Sequence, residues 1–401
     1  SWSVARAPGP SAEPAAGAPR APGQSSRMSA HTVLLTSEGT AATCGRNAAG
    51  QCDIPALAAG QIYTQVAAGG AHTVLLTSEG TAAACGLNSG GQCDIPALVA
   101  GQTYTQVAAG DAHTVLLTSE GTAAACGRNG LGQCDIPELI AGQTYTQVAA
   151  GGAHTVLLTS EGTAVACGRN FEGQCVIPEL VAGHTYIQVD AGDVHTVLLT
   201  SEGTAVVCGR SDEGQCDIPE LVAGQTYTQV AAGDAHTVLL TSEGTAVACG
   251  RNDEGQCDIP ELIAGQTYTQ VAPGDVHTVL LTSEGRAVVC GRNSDGQCDI
   301  PELVAGQTYG AHLMPALLLQ ASFDGESIRF VTLRGVERCR VLAVPTSRLA
   351  ALNDQLMGDL RAGRFGSRVA RVDAVLPDGR LLSDLPAEET VASAFGLALP
   401  A

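Results

Sequence analysis

The chain has 401 residues, a net charge of −20 and only 3% aromatic side chains. Such an acidic surface repels a phosphate backbone, which weighs against direct nucleic-acid binding and favours a basic protein partner. No apolar run reaches the roughly 18 residues of a membrane span, and all 20 basic residues are arginine.

Residues 1–27, rich in Pro, Ala and Gly, lack an apolar signal core and read as a disordered tail. From Met28 the sequence repeats. "HTVLLTSEG" begins at His31, His72, His113, His154, His195 and His236, and returns at His277, with a constant spacing of 41 residues. A fixed period of this length dictates the architecture before any local reading does.

Within the unit that starts at His236, "HTVLLTS" is a β-branched, apolar strand and "SEG" a tight turn with Gly at the residue needing positive φ. "TAVACG" is a second strand of small residues. "NDEGQ" is a further turn, and "QCDI" a short edge strand stopped by Pro260. "ELIAGQ" connects to "TYTQVA", another strand. No segment keeps a 3.6-residue period, so helical arrays are disfavoured. A single unit cannot bury its apolar face, but seven units closing into a ring can, which predicts a seven-bladed β-propeller of four-stranded blades over residues 28–320.

The pattern AGxxHTxxLxxxGxxxxxGxNxxGQ resembles the regulator of chromosome condensation repeat, across residues 28–309. Two positions depart from that family. Cys44 and its counterparts stand where a large aromatic is usual, and Cys52 and its counterparts where Leu is usual. The resemblance implies a seven-bladed propeller. Its relatives include guanine-nucleotide exchange factors, an ultraviolet sensor and ubiquitin-ligase modules.

One histidine per unit, with no second ligand on the same element, argues for a structural role in hydrogen bonding or packing between blades rather than for a metal ring. Fourteen of the 15 cysteines form seven C-x7-C pairs. That spacing is not a zinc spacing. Free thiols are expected, with a disulfide across the turn as the alternative.

The first unit lacks the "TYTQVA" strand, and Ala316–Ser322 is expected to supply it. Beyond lies a second domain, residues 321–401. "SIRFVTL" and "RCRVLAV" predict a hairpin, 345–363 a helix, and "SRVARVDAVL" a third strand. This region resembles ubiquitin, notably in Asp378, Gly379, Arg380, Leu382, Ser383 and Asp384 of its DGR-x-LSD stretch. The resemblance implies a β-grasp domain. It lacks the terminal Gly-Gly used for conjugation.

No nucleophile-and-base pair and no phosphate loop stand out, so no enzyme, cofactor or metal is expected. The expected function is a protein-interaction scaffold, with a link to the ubiquitin pathway, in the cytoplasm or nucleus. A regulator of a small GTPase, in the manner of an exchange factor, is the alternative. A propeller without a selected partner is a further one. Because near-identical blades cannot specify an asymmetric partner, recognition is expected where the repeats differ. The two residues before Gly-Gln vary most, and they place Leu131, Phe171, Glu172, Asp212, Glu213, Asp253, Glu254 and Asp295 on equivalent turns, an apolar anchor beside an acidic arc. The fourth unit also deviates at Val176, His184, Ile187 and Asp190.

Overall fold

The computed structural model describes residues 31–310 and four further strands, Leu317–Phe323, Ser327–Thr332, Glu337–Leu342 and Val372–Val375. Everything described in it is strand, turn or loop. The repeats form seven small antiparallel sheets in succession. Six have three strands, ordered inner, middle and outer along the chain, as in Tyr186–Ala191, His195–Thr200 and Ala205–Gly209. The first sheet has two, His31–Leu35 and Ala41–Gly45.

Every residue of the middle strand HTVLLT is buried in units two to seven. It is central in its own sheet and covered on both faces, which is why it reads as a continuous β-branched and apolar run rather than an alternation. Alternate side chains of that strand go to opposite neighbours. Val156 and Leu158 pack with Tyr186, Val189 and Leu198 of the following unit. Leu157, together with Tyr145 and Val148 of its own sheet, packs with Val115 and Leu117 of the preceding one. The core is thus a set of layers between successive sheets. The last such layer joins Val279, Leu281 and Tyr309 to Leu34, so the seventh sheet packs on the first and the array closes into a propeller-like ring.

The repeated polar residues hold this ring in register. The Tyr that opens each inner strand donates its hydroxyl to the carbonyl of the Pro eight residues before it, as Tyr227 does to Pro219 at 2.6 Å. That bond pins the connector to the sheet. The Gln two residues later accepts the backbone N–H of the next unit's Val, as Gln106 does from Val148 at 2.9 Å. At the hairpin, Gly203 takes φ 76°, the left-handed region that the turn requires.

Two expectations need correction. The "QCDI" segment is not a strand, so six of the repeat sheets have three described strands and the first has two, not four. Its backbone is spent in local turns, Asp217 N–H on Gly214 O and Ile218 N–H on Cys216 O, and proline then removes the next donor. Closure also does not fall at Ala316–Ser322. Tyr309 bridges Thr36 in the register that Tyr268 holds with Thr282, and Gly310 N–H bonds Leu35 O at 2.9 Å. The connector that precedes every inner strand here ends at Thr308, and Tyr309 takes the place of the Tyr that opens the other inner strands. Leu317–Phe323 pairs elsewhere, antiparallel with Ser327–Thr332 and parallel with Val372–Val375.

Ser327–Thr332 and Glu337–Leu342 form the expected antiparallel hairpin. The sheet order places Leu317–Phe323 between that hairpin and Val372–Val375, so the tail sheet begins upstream of residue 321. The expected helix 345–363 and the "RLLSDL" segment lie outside the described residues.

Candidate partner-binding face

Each sheet has two ends. At one, the outer strand runs into the variable turn, and the inner strand meets the middle one through a Gly-Gly or Gly-Asp turn. A backbone bond ties the two turns together, Arg128 N–H to Ala112 O at 2.7 Å and Arg251 N–H to Ala235 O at 2.9 Å. The variable turns and the inner turns around the axis therefore share one face of the ring. The SEG hairpins and the connectors lie at the other end.

The variable turns are built alike. Gln133 and its equivalents are buried, and their side-chain oxygen accepts the N–H two residues back: Leu131 on Gln133, Glu172 on Gln174, Glu213 on Gln215, Glu254 on Gln256 and Asp295 on Gln297. This cap turns the two variable side chains outward. Phe171 is 78% exposed, and Leu131 and Val176 are exposed as well. Arg169 stacks over the Phe171 ring, 5.8 Å from its centroid.

Val176 stands where most units have an aspartate that accepts from the turn's Asn, as Asp258 does from Asn252 at 2.8 Å. The substitution exchanges that bond for an exposed apolar group in the same turn as Phe171. No other unit carries both an aromatic and an aliphatic side chain on its variable turn, and Leu131 stands exposed on the preceding one.

The acidic arc is less bare than its sequence. Arg210 lies 2.6 Å from Asp212 and Arg251 3.0 Å from Asp253. Arg169 and Glu172, and Arg292 and Asp295, pair more loosely at 3.9 Å. These are exposed pairs, each worth at most about 1 kcal/mol. Among the described residues Glu213 and Glu254 make no ion pair, so they carry most of the unbalanced charge.

Of the other deviations in unit four, His184 ends a connector turn at the opposite end, its N–H on Val181 O. Asp190 belongs to the inner strand and accepts the N–H groups of Ala191 and Ala232, both at 2.9 Å. Neither joins Phe171.

The axis of the ring is a cavity of about 460 Å3, lined by the inner strands and their turns. The residue before the Ala/Val-His pair, missed in the sequence reading, lines it: Asp111, Asp193, Asp234 and Asp275, with Gly70 and Gly152 at the equivalent places. All four carboxylates are half-buried. Burial first, then repulsion from Asp193 and Asp234, pushes Asp111 up to about 8. Burial and a shared hydrogen bond with Asp193 push Asp234 up to about 7, against the pull of Arg251. Burial and its three neighbours hold Asp275 well above the usual carboxylate range. The signal in the sequence was the alternation of Gly and Asp at one place.

The histidines are structural. His195 Nε2 lies 3.0 Å from Thr237 Oγ1, and Thr237 Oγ1 donates to Gln215 O at 2.7 Å. Since the hydroxyl proton is spent on that carbonyl, the imidazole must be the donor at Nε2. The same relay links His31 to Thr73 and, across the seam, His277 to Thr32. Burial lowers these imidazoles to about 3 to 4, so they are neutral. The fourteen cysteines in the repeats are free and half-buried. Burial pushes Cys208 and Cys249 up to about 12. Among the described residues no three His, Cys, Asp or Glu side chains could hold a metal ion.

Six segments match the model of the regulator of chromosome condensation (RCC1) repeat: residues 63–92, 104–133, 145–174, 186–215, 227–256 and 268–297. Each match runs from the inner-strand Tyr to the buried Gln of the variable turn. The chain thus carries RCC1 repeats in a β-propeller-like ring. Among solved structures, Prp20p of Saccharomyces cerevisiae is similar at 19% identity, covering 71% of this chain and 87% of that one, with a TM-score of 0.56. Yeast RCC1 (Prp20) bound to Kap60 aligns at 20% identity over 67% and 81%, TM-score 0.54. The CRINKLY WD40 ectodomain of the Arabidopsis thaliana receptor kinase ACR4 aligns at 16% over 68% and 98%, TM-score 0.51. A search of curated proteins returns no match.

Proposed function

We propose that the protein is a seven-bladed RCC1-type propeller that acts as a protein-interaction scaffold and binds a basic partner through the face of its variable turns. The observation that carries this reading is Phe171. A fold with so few aromatics leaves one of them 78% exposed, beside Val176 and Leu131, on a ring whose other units place small or acidic residues there. An apolar anchor with an acidic surround suits a partner with an apolar knob and a basic rim. Solved Prp20p is described with binding to Gsp1p and histones. Of those two, the basic histone type matches the charge of this face. The constant 41-residue period leaves no inserted segment in any unit, which places a small-GTPase regulator second.

The reading of the tail as a ubiquitin-like β-grasp domain rests on the hairpin of Ser327–Thr332 with Glu337–Leu342 and on the Asp378–Asp384 sequence stretch. A ubiquitin-pathway role rests on that resemblance. Free thiols throughout the repeats suit a reducing compartment, cytoplasmic or nuclear.

The test is direct. Partners captured by proximity labelling are bound to the wild type, to Phe171→Ala, and to the double reversal Asp253→Lys with Glu254→Lys. Phe171→Ala should cost about 2 kcal/mol of affinity as a central anchor. The charge reversal should slow association, less so at high salt. Unaltered affinity and rate in both variants would move the site off this face. Accelerated nucleotide release from a captured GTPase would favour the second reading.

A further inference from the structure

Phe171 is 78% exposed and Val176 60% exposed on one turn of unit four, and Leu131 is exposed on the turn before. Such side chains gain from burial, so an aromatic and two aliphatics left in water on one face mark a surface that something covers. Glu213 and Glu254, on the turns that follow, make no ion pair among the described residues. A second copy of the ring does not suit this face, since it would bring the same glutamates against each other. The occupant it fits is an apolar group carried on a basic segment.

Residues 1–27 of this chain have that chemistry. They hold Arg6, Arg20 and Arg27 against Glu13 alone, a net charge of +2. Their one aromatic is Trp2, the only tryptophan of the chain, with Arg6 four positions further on. Trp and Arg are the residue types that most often anchor an interface. The chain also enters the ring at the right end. His31 pairs with Gly45, where the outer strand of unit one runs into its variable turn. The segment therefore joins the ring on the face that bears Phe171. Trp2 lies 29 positions before His31. A segment of that length spans ~30 Å as a coil and ~95 Å when extended. A ring of about 280 residues has a radius of gyration of ~19 Å, so unit four is within reach.

We propose that residues 1–27 dock on the variable-turn face of their own ring, with Trp2 against Phe171 and Val176 and the arginines toward Glu213 and Glu254. The proposal rests on the binding face proposed above and supplies its regulation, because the segment and an outside partner of the same chemistry compete for one site. Tethering sets the effective concentration of the segment at roughly millimolar. A contact too weak to hold a free peptide is thus occupied within the chain. An outside partner must displace it, and its apparent affinity falls with the fraction of rings left open.

Trp2 reports on this docking by itself, since the chain has no other tryptophan. Emission of the full chain is excited beyond the tyrosine band, and acrylamide quenching is measured in buffer and in guanidinium chloride. Docked Trp2 should emit to the blue of the denatured chain and resist quenching. Phe171→Ala should move the emission to the red and restore quenching toward the denatured value. Ile263→Ala removes an equally bare aliphatic side chain, 75% exposed, at the other end of the ring, and should leave both readings unchanged. Both readings should also survive dilution. Quenching that is equal in buffer and denaturant, indifference to Phe171→Ala, or an equal response to Ile263→Ala would each overturn the proposal. Loss of the blue shift on dilution would overturn it too, by showing that the segment docks on another copy. Trp2→Ala should tighten the binding of a captured partner, and an unchanged affinity would overturn the competition. The fluorescence needs no partner, so it tests the docked segment, whereas partner binding by Phe171→Ala tests the face.

Discussion

His277 Nε2 stands 2.8 Å from Thr32 Oγ1, and the two residues are 245 positions apart. Thr32 passes the interaction on to Gln297 O at 2.8 Å, and Cys44 Sγ points at the same carbonyl at 3.3 Å. This is the bond set found between every pair of neighbouring units. At the seam it joins the two ends of the repeat array.

Thr32→Val keeps the shape and removes the hydroxyl. It leaves the buried Nε2–H of His277 without its partner and takes from the Gln297 carbonyl one of its two donors, leaving Cys44 Sγ, at a cost of about 1 to 3 kcal/mol. Thr196→Val removes the same hydroxyl inside the array. Urea unfolding of both should show comparable losses. A neutral Thr32→Val would mean that the seam is not held as the other junctions are.

Stability should peak near pH ~6.5. The seven buried imidazoles have folded values lowered to about 3 to 4, so their contribution is present above ~6.5 and is lost as pH falls toward 4. Asp111, Asp190 and Asp234 are raised to about 8, 6 and 7, and Asp275 rises too. Their contribution is present at low pH and is lost as pH climbs through those values. Below ~6.5 the more numerous histidines set the slope, and above it the aspartates do. Melting temperature measured from pH 4.5 to 8.5 checks this. A curve rising steadily to pH 8.5 would contradict the placement of the aspartates.

Thiol titration separates the two readings of the C-x7-C pairs. In denaturant without reductant, all 15 cysteines should react. In the folded protein the fourteen repeat thiols should react far more slowly, because burial pushes Cys85 up to about 11 and Cys126 up to about 12, and raises Cys52, Cys93 and their equivalents as well, so little thiolate forms at neutral pH. A count near one in denaturant would establish seven disulfides.

Gly203→Ala should be costly. Its φ of 76° disfavours any L side chain, and a Cβ there would lie 2.5 Å from Cβ of Thr226. The loss should exceed the ~1 kcal/mol ordinary for leaving left-handed glycine geometry. Gly224→Ala, at φ 90° with nothing near, isolates the backbone part. Equal losses in the two would remove the contact with Thr226 from the account.

Much of this fold was legible because a repeat states its own constraints. The run HTVLLT announced a strand, and the lone histidine a structural role in hydrogen bonding or packing. The fourth strand was misread because QCDI has strand-like residues, yet its donors are spent in turns that only coordinates reveal. Closure was misplaced because Ala316–Ser322 has the composition of a strand, whereas register alone puts Tyr309 against Thr36. On the candidate face, Phe171 and Leu131 do fall on equivalently built turns, but the sequence could not show Arg210 and Arg251 folding back onto Asp212 and Asp253. It also passed over Asp111 and its equivalents. Gly and Asp are both ordinary turn residues, so their exchange looked like turn chemistry until the ring brought four of them to one axis.

The junction at Thr32 has a topological consequence. Since the His277–Thr32–Gln297 bond set at the seam repeats that of every other junction, this bond set does not mark where the array begins. The existing ends could be joined and new ones cut in the connector at Val222–Gln225, which is exposed and held by a local turn. Such a circular permutant keeps every layer between sheets. A gene that reads its blades in another order would then encode the same object.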